Sequence, residues 1–252
     1  MLALAIRFAS ILVVWMIVSG AFATPDNAGW FYHYQSLIAG VLALLGAGIG
    51  AWFLQAQIRQ TWKVEASRRD RKRAALRAVG PLALATIFEY AKSSAASLRE
   101  LHGKCRGEHG VLPTTGVTRP SVPTMPSEAI TLLSDFIEYS DAGEAGLIVQ
   151  LLSEMQIQSA RLNDTVSTIG RDDKMITKRN IENYLQDTAT IYALATAGFD
   201  FFRERSGRLP TEVTWDDVKK ALRQMDFYET SFRELYETIN TYAKESIGPR
   251  RW

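Results

Sequence analysis

The sequence predicts an all-α protein: an N-terminal two-helix transmembrane hairpin, a long juxtamembrane helix and a cytoplasmic α-helical bundle. Three observations predict it. Two nearly uncharged apolar runs lie near the N-terminus, a dense basic stretch follows them, and apolar residues then recur at steps of three and four to the end of the chain. The averages conceal this division. Over 252 residues the chain is 47% hydrophobic and 22% charged with a net charge of +2, which excludes a disordered or collagen-like polymer and suggests an ordinary globular protein. A single cysteine, Cys105, excludes an intramolecular disulfide framework, and a cytoplasmic domain is expected to keep it reduced.

Residues 1–57 form the hairpin, with spans at about 2–23 and 31–55. They contain one basic residue, Arg7, and one acidic residue, Asp26. Ser36 to Leu54 is free of charge, and at 1.5 Å per residue its 19 residues cover roughly the 30 Å of a bilayer's hydrocarbon core. Trp30, Phe31, Tyr32 and Tyr34 precede it and Trp52, Phe53 and Trp62 close it, as interfacial aromatic belts do. Thr24-Pro25-Asp26-Asn27-Ala28-Gly29 supplies the turn. A competing reading takes Ala21-Phe22-Ala23 as a signal-peptide cleavage pattern. Against it stand the absence of charge before Arg7 and the proline directly after Thr24.

Residues 58–79 form the juxtamembrane helix. Arg59, Lys63, Arg68, Arg69, Arg71, Lys72, Arg73 and Arg77 face only Glu65 and Asp70, a net of +6. Such a collar next to a span favours the cytoplasmic side, which places both termini inside. The reading assigns Arg68, Arg69, Arg71, Lys72 and Arg73 to the membrane interface, with an anionic-headgroup bilayer as partner. No nucleic-acid partner is expected, because the body beyond is mildly acidic and carries no recognition module.

Residues 80–252 form the cytoplasmic helical domain. Gly80-Pro81 is expected to end the straight run of the preceding helix at about Val79. Leu84, Ile87, Phe88, Ala91, Ala95 and Leu98 then keep a helical period. Residues 102–126 read as a mobile loop, with Pro113, Gly116, Pro120, Pro123 and Pro126 in its second half. Further stripes are Ile130, Leu133, Phe136 and Ile137, then Ile148 to Ile169, then Ile181 to Phe202. The last two are Trp215, Val218, Leu222 and Met225, followed by Phe232, Leu235, Ile239 and Tyr242. Asp141-x-x-Glu144, Thr214-x-x-Asp217 and Asp226-x-x-Glu229 resemble capping pairs, and Gly170 and Gly207 sit where helices should stop. Phe201 and Phe202 are adjacent, so one of them is expected to cover a groove or a partner surface.

Candidate chemistry is sparse. His102-x-x-Cys105-x-x-x-His109 beside Glu108 carries zinc-type donors, but a structural site wants four ligands. The remaining histidine, His33, falls near the opposite face of the membrane, and Gly103, Gly107 and Gly110 point to a solvated loop. No metal and no cofactor is assigned. Gly46-Ala47-Gly48-Ile49-Gly50-Ala51 brushes against a dinucleotide-binding pattern but lies inside an apolar helix with no strand before it. Ala39, Ala43, Gly46, Ala47, Gly50 and Ala51 read instead as a helix-packing face, against the first span or against a second copy. Asp172-Asp173, Asp216-Asp217, and Asp135 with Glu138, are carboxylate pairs with no partner motif, and the bland reading as helix-end acids suffices.

The run from Tyr34-Gln35-Ser36-Leu37-Ile38-Ala39-Gly40 through the collar to Gly80-Pro81-Leu82-Ala83-Leu84 resembles a group of uncharacterised bacterial membrane proteins, as does the stretch Leu151 to Leu162. The resemblance implies a bacterial inner-membrane location and no assigned activity. Three functional expectations follow in order: a membrane-anchored scaffold, adaptor or regulatory module that binds another protein; a homo-oligomeric, channel-like membrane effector assembled through the small-residue face; and an unrecognised enzyme.

Overall fold

The computed structural model describes Trp15 and residues 28–107, 110–113, 115–171, 174–245 and 248–249. Among these residues the protein is all-helical, with six helices: α1 (Ala28–Lys104), α2 (Ser127–Tyr139), α3 (Ala142–Thr168), α4 (Lys178–Phe202), α5 (Trp215–Gln224) and α6 (Arg233–Lys244). The only β-type pairings among them are two isolated bridges, Arg106 with Val111 and Val111 with Thr177. The chain divides into two compact units, Met1–Ala66 and Ser67–Trp252.

In the first unit, helix α1 contains one candidate membrane span, with a mean hydropathy of 1.6 over its most apolar window. Leu37, Val41, Leu44, Leu45, Ile49, Trp52, Phe53 and Leu54 are all exposed. The expected first span, 2–23, lies outside the described residues apart from Trp15.

In the second unit the stripes read from the sequence form the core. Leu84, Ile87, Ala91, Ala95 and Leu98 of α1 are buried, as are Leu133 and Phe136 of α2. Ile148, Leu151, Leu152, Met155, Leu162, Val166 and Ile169 of the α3 segment are buried too. Helix α4 is central. It packs against α3, α5 and α6. It also meets α1 where Leu84 Cδ1 lies 3.2 Å from the position a side chain at Gly198 would take. A thread of polar groups crosses the same core: Tyr90 donates to Gln158 Oε1 at 2.6 Å, and Gln158 Nε2 donates to Thr188 Oγ1 at 3.2 Å. Burial pushes the Tyr90 phenol up.

Several expectations need correction. Helix α1 does not end at Val79; it continues to Lys104 with Pro81 inside it. A proline in a helix interior costs about 3 kcal/mol, and Leu84 and Ile87, each fully buried, offset that at about 1.5–3 kcal/mol apiece. Gly80 is a packing residue rather than a breaker, because a Cβ there would collide with the Phe202 ring. Phe201 and Phe202 are both buried, and neither covers an open surface. They form an aromatic trio with Phe136, with centroids 5.0–5.8 Å apart.

Helix ends show a similar mixture. Thr214 and Asp217 make the expected reciprocal capping box, and Thr177 with Asn180 makes a second that the sequence reading missed. Asp141 is an N-cap by backbone conformation, yet its side chain caps nothing. Asp226 does not open a helix: it follows α5 with φ +65°, and α6 starts at Arg233. Gly170, at φ +85°, follows the C-cap of α3 as expected. Gly207 does not stop α4, which ends at Phe202, with Glu204 in the left-handed conformation.

The segment expected to be a mobile loop starts after Lys104, and its described residues are tied to the body. Leu112 is buried and its N–H donates to Ile176 O at 2.9 Å. Lys178 N–H donates to Gly110 O at 2.8 Å, and Ser97 Oγ donates to Ser121 O at 2.7 Å.

Candidate functional site

The collar residues from Arg68 to Arg77 lie on one helix of the second unit, and the structure divides them between two faces. Arg69, Arg73 and Arg77 recur at i, i+4 and i+8, so they share a face. That face meets the bundle. Arg69 Nε and Nη2 donate to Tyr139 O at 3.5 Å and Ser140 O at 3.3 Å, where α2 ends. Arg73 pairs with Glu144 in the first turn of α3 and lies 3.9 Å from Asp141. Arg77 donates to Phe201 O at 2.8 Å and Ser206 O at 2.7 Å, with its guanidinium 4.2 Å from the Phe201 ring centroid. Lys72 lies 5.1 Å from the Tyr139 ring centroid.

Helix C-termini leave four carbonyls without intrahelical partners and carry partial negative charge, so a guanidinium placed there satisfies both needs. The same device recurs elsewhere. Arg119 donates to Ile169 O at 2.9 Å behind α3. Arg99 donates to Met225 O at 2.6 Å behind α5 and lies 4.3 Å from the Phe227 ring centroid. Four of the bundle's helix ends are thus closed by an arginine from another part of the chain.

Arg68 and Arg71 are the exception. Both are exposed; Arg71 Nε reaches only Ser67 O of its own turn, at 3.2 Å, and Arg68 has no ion-pair partner among the described residues. Ala75, Ala78, Val79 and Leu82 continue their side of α1, also exposed. Beyond Leu82 the surface opens into a groove of about 500 Å³ lined by Ala83, Met125, Pro126, Ala129 and Leu132 together with Thr86, Ser127 and the exposed Glu128.

The small-residue stripe lies in the first unit. Ala39, Ala43, Gly46, Ala47, Gly50 and Ala51 are all exposed, and a Cβ added at Gly46 or Gly50 would meet no atom within 4 Å.

The zinc-type donors of the loop are separated by other interactions. His102 Nε2 lies 3.3 Å from Glu182 Oε1, and the Phe232 ring packs 4.8 Å from the imidazole. Cys105 Sγ donates to Leu101 O at 3.5 Å. Burial pushes its thiol up, more than Lys178 lowers it, which disfavours the thiolate a ligand or nucleophile needs. Glu108 and His109 lie outside the described residues, and among the described residues no three metal-binding side chains converge. Glu182 is the chemistry-bearing residue that sequence reading missed. It is 1% exposed, faces Lys178 Nζ at 3.9 Å, and its Oε2 has no hydrogen-bond partner in the structure.

The carboxylate pairs do not form a site. Asp217 belongs to its capping box and pairs with Lys220 at 3.0 Å, while Asp216 pairs with Lys219 at 3.3 Å. Asp135 and Glu138 are outer residues of α2, and Asp172 and Asp173 lie outside the described residues.

No family model, no curated protein and no solved structure matches this chain.

Proposed function

We propose that this chain is a membrane-anchored helical interaction module, a scaffold, adaptor or regulatory subunit whose second unit binds a partner protein on the cytoplasmic side of a bacterial inner membrane. The observation that carries the reading is the run Leu37 to Leu54. It holds nine large exposed hydrophobic residues on one helix, without a charge. Water disfavours such a surface and a bilayer favours it. The basic residues that follow support the cytoplasmic side. A first span at 2–23 completes a hairpin with both termini inside. The second unit supports a binding role, since its helices close on one apolar core, crossed by a thread of polar groups, while Arg68 and Arg71 stay exposed. In native membranes the chain is expected to resist alkaline extraction and to crosslink to a second protein through residues 67–252. Recovery in the soluble fraction, or the absence of any crosslinked protein, overturns the reading.

A second reading rests on the uncovered small-residue stripe. A homo-oligomeric effector would assemble through Gly46 and Gly50, where backbones can approach closely. Gly46→Leu with Gly50→Leu then abolishes oligomers in mild detergent. Unchanged assembly removes this reading and leaves the first intact.

A further inference from the structure

We infer that the groove between α1 and α2 in the second unit is a docking site for one amphipathic helix of a partner protein, basic where it crosses Glu128 and Asp135. The inference rests on the partner-binding role proposed above and names its surface. Helix α2 runs back along α1. Arg69 reaches Tyr139 and Ser140 at the end of α2, whereas Leu82 and Thr86 line the groove with Ser127 and Glu128 at its start. The α1 wall is uncharged: Ala75, Ala78, Val79, Leu82 and Thr86 are all exposed, Leu82 at 73%. Its alanines let a third helix approach, and Leu82 with Met125 and Leu132 supplies the apolar contacts that helix-in-groove binding uses. From Arg71 to Thr86 the wall is roughly 22 Å long, the length of a four-turn helix. The α2 wall is acidic. That helix holds Glu128, Asp135 and Glu138 and no basic residue. Glu128, Leu132 and Asp135 recur at steps of four and three, so the two acids share the groove side with Leu132. Neither carboxylate has an ion-pair partner among the described residues. Charge complementarity therefore selects a basic occupant. Arg68 and Arg71, exposed before the α1 wall, fix its direction: the occupant's basic residues lie toward Leu82, and its end toward the collar is acidic or uncharged.

The test uses the full chain in nonionic detergent, with a dye at Ala78→Cys in a Cys105→Ser background and Tyr228→Cys, also at an exposed position, as the control. The probe is a synthetic four-turn helical peptide bearing a nitroxide quencher, with leucines at steps of three and four and lysines in one half. A second peptide has glutamates in place of the lysines. The lysine peptide is expected to quench the Ala78 dye saturably and the Tyr228 dye not at all, and the glutamate peptide to quench neither. Glu128→Gln with Asp135→Asn should weaken binding about fivefold, two exposed ion pairs at about 0.5 kcal/mol each. Leu82→Ser, which removes the central apolar contact, should weaken it more than tenfold. Both variants should keep the helical signal of the wild type. No quenching by the lysine peptide, equal quenching by both peptides, or quenching that neither variant weakens overturns the inference. Quenching between dye-labelled and nitroxide-labelled copies without peptide, reversed by Glu128→Gln with Asp135→Asn, shows that a second copy fills the groove, and also overturns it. Photo-crosslinking in native membranes separates the two claims. Capture of a protein from other positions in residues 67–252 but not from Ala78 refutes the groove alone, whereas capture from none of them refutes the partner-binding role on which it rests.

Discussion

Gly80 carries a prediction whose sign separates two roles. At an open position within a helix, glycine to alanine stabilises by roughly 1 kcal/mol, because alanine has the better helix propensity. Here the added Cβ meets the Phe202 ring, which is itself held by Phe136 and Phe201. Overpacking of that kind costs about 1–3 kcal/mol, so Gly80→Ala lowers the unfolding midpoint of the full chain in detergent. A raised midpoint would show that Phe202 moves freely. The collar arginines give a second contrast. Arg73→Gln leaves Glu144 without its partner at a part-buried corner and costs on the order of 1 kcal/mol, the usual charge-assisted value reduced for solvent screening. Arg68→Gln, with no bundle partner, stays within about 0.5 kcal/mol. Urea unfolding of the two variants side by side reads the difference. The signal for this split was present in the sequence as the i, i+4, i+8 spacing of Arg69, Arg73 and Arg77. What they reach, the ends of α2 and α4, lies 70 or more residues away along the chain, and no local pattern points there.

Helix interiors were more legible than helix ends. The stripes on α2 to α6 follow from a 3.6-residue period that any helix burying one side must show, and the buried positions match them. Ends are decided by competition between local chemistry and distant packing. At Thr214 local chemistry prevails: the hydroxyl accepts from Asp217 N–H, and Asp217 Oδ2 accepts from Thr214 N–H at 3.1 Å. At Gly80-Pro81 packing prevails, and the helix runs through its breaker. Thr214→Ala should cost about 1 kcal/mol, and its effect should depend on pH with a definite sign. Slight burial raises the Asp217 carboxyl, but hydrogen bonds from Thr214 and Lys220 outweigh it and hold the group below its ordinary value of 3.8. The native state therefore binds its proton less tightly than the unfolded chain. The stabilisation is present above the ordinary value and is lost as pH falls through the lowered native one. Melting followed by circular dichroism from neutral to acid pH should show the gap between wild type and Thr214→Ala narrowing toward the acid end, to what the hydroxyl's own bond from Asp217 N–H contributes. A gap that does not narrow would contradict this linkage. Asp187 has the opposite sign. Burial pushes its carboxyl up despite Arg161 at 2.5 Å, so its contribution is present below 3.8 and is lost as pH rises through the raised native value.

At the scale of the molecule, the sequence divides where the solvent preference of its surface changes. The composition hides this, since a +6 collar nearly cancels a mildly acidic body and two apolar runs inflate an ordinary hydrophobic fraction. The same long helix carries two kinds of surface: its exposed residues include many leucines, isoleucines and tryptophans before Ala66, and among the described residues its buried ones begin at Leu76. A candidate span was therefore more legible than any activity, because hydropathy accumulates over many residues. A site, in contrast, depends on single long-range approaches, such as Glu182 to His102. The division has a direct test. Ile49 is exposed within the candidate span, and an arginine there costs about 2.5–3.5 kcal/mol at the bilayer centre. Every core residue of the second unit lies at Leu76 or beyond, so Ile49→Arg removes none of its contacts. Ile49→Arg is accordingly expected to weaken insertion of this segment by more than tenfold, read as loss of the vesicle-induced blue shift of a dye at Leu45→Cys in a Cys105→Ser background, while the thermal unfolding of the helical signal in detergent keeps its midpoint. An unchanged blue shift, or none before the substitution, would mean that this segment does not enter the hydrocarbon as proposed. An equal loss of both would mean that the apolar segment and the bundle fold as one cooperative body, contrary to the division at Ala66.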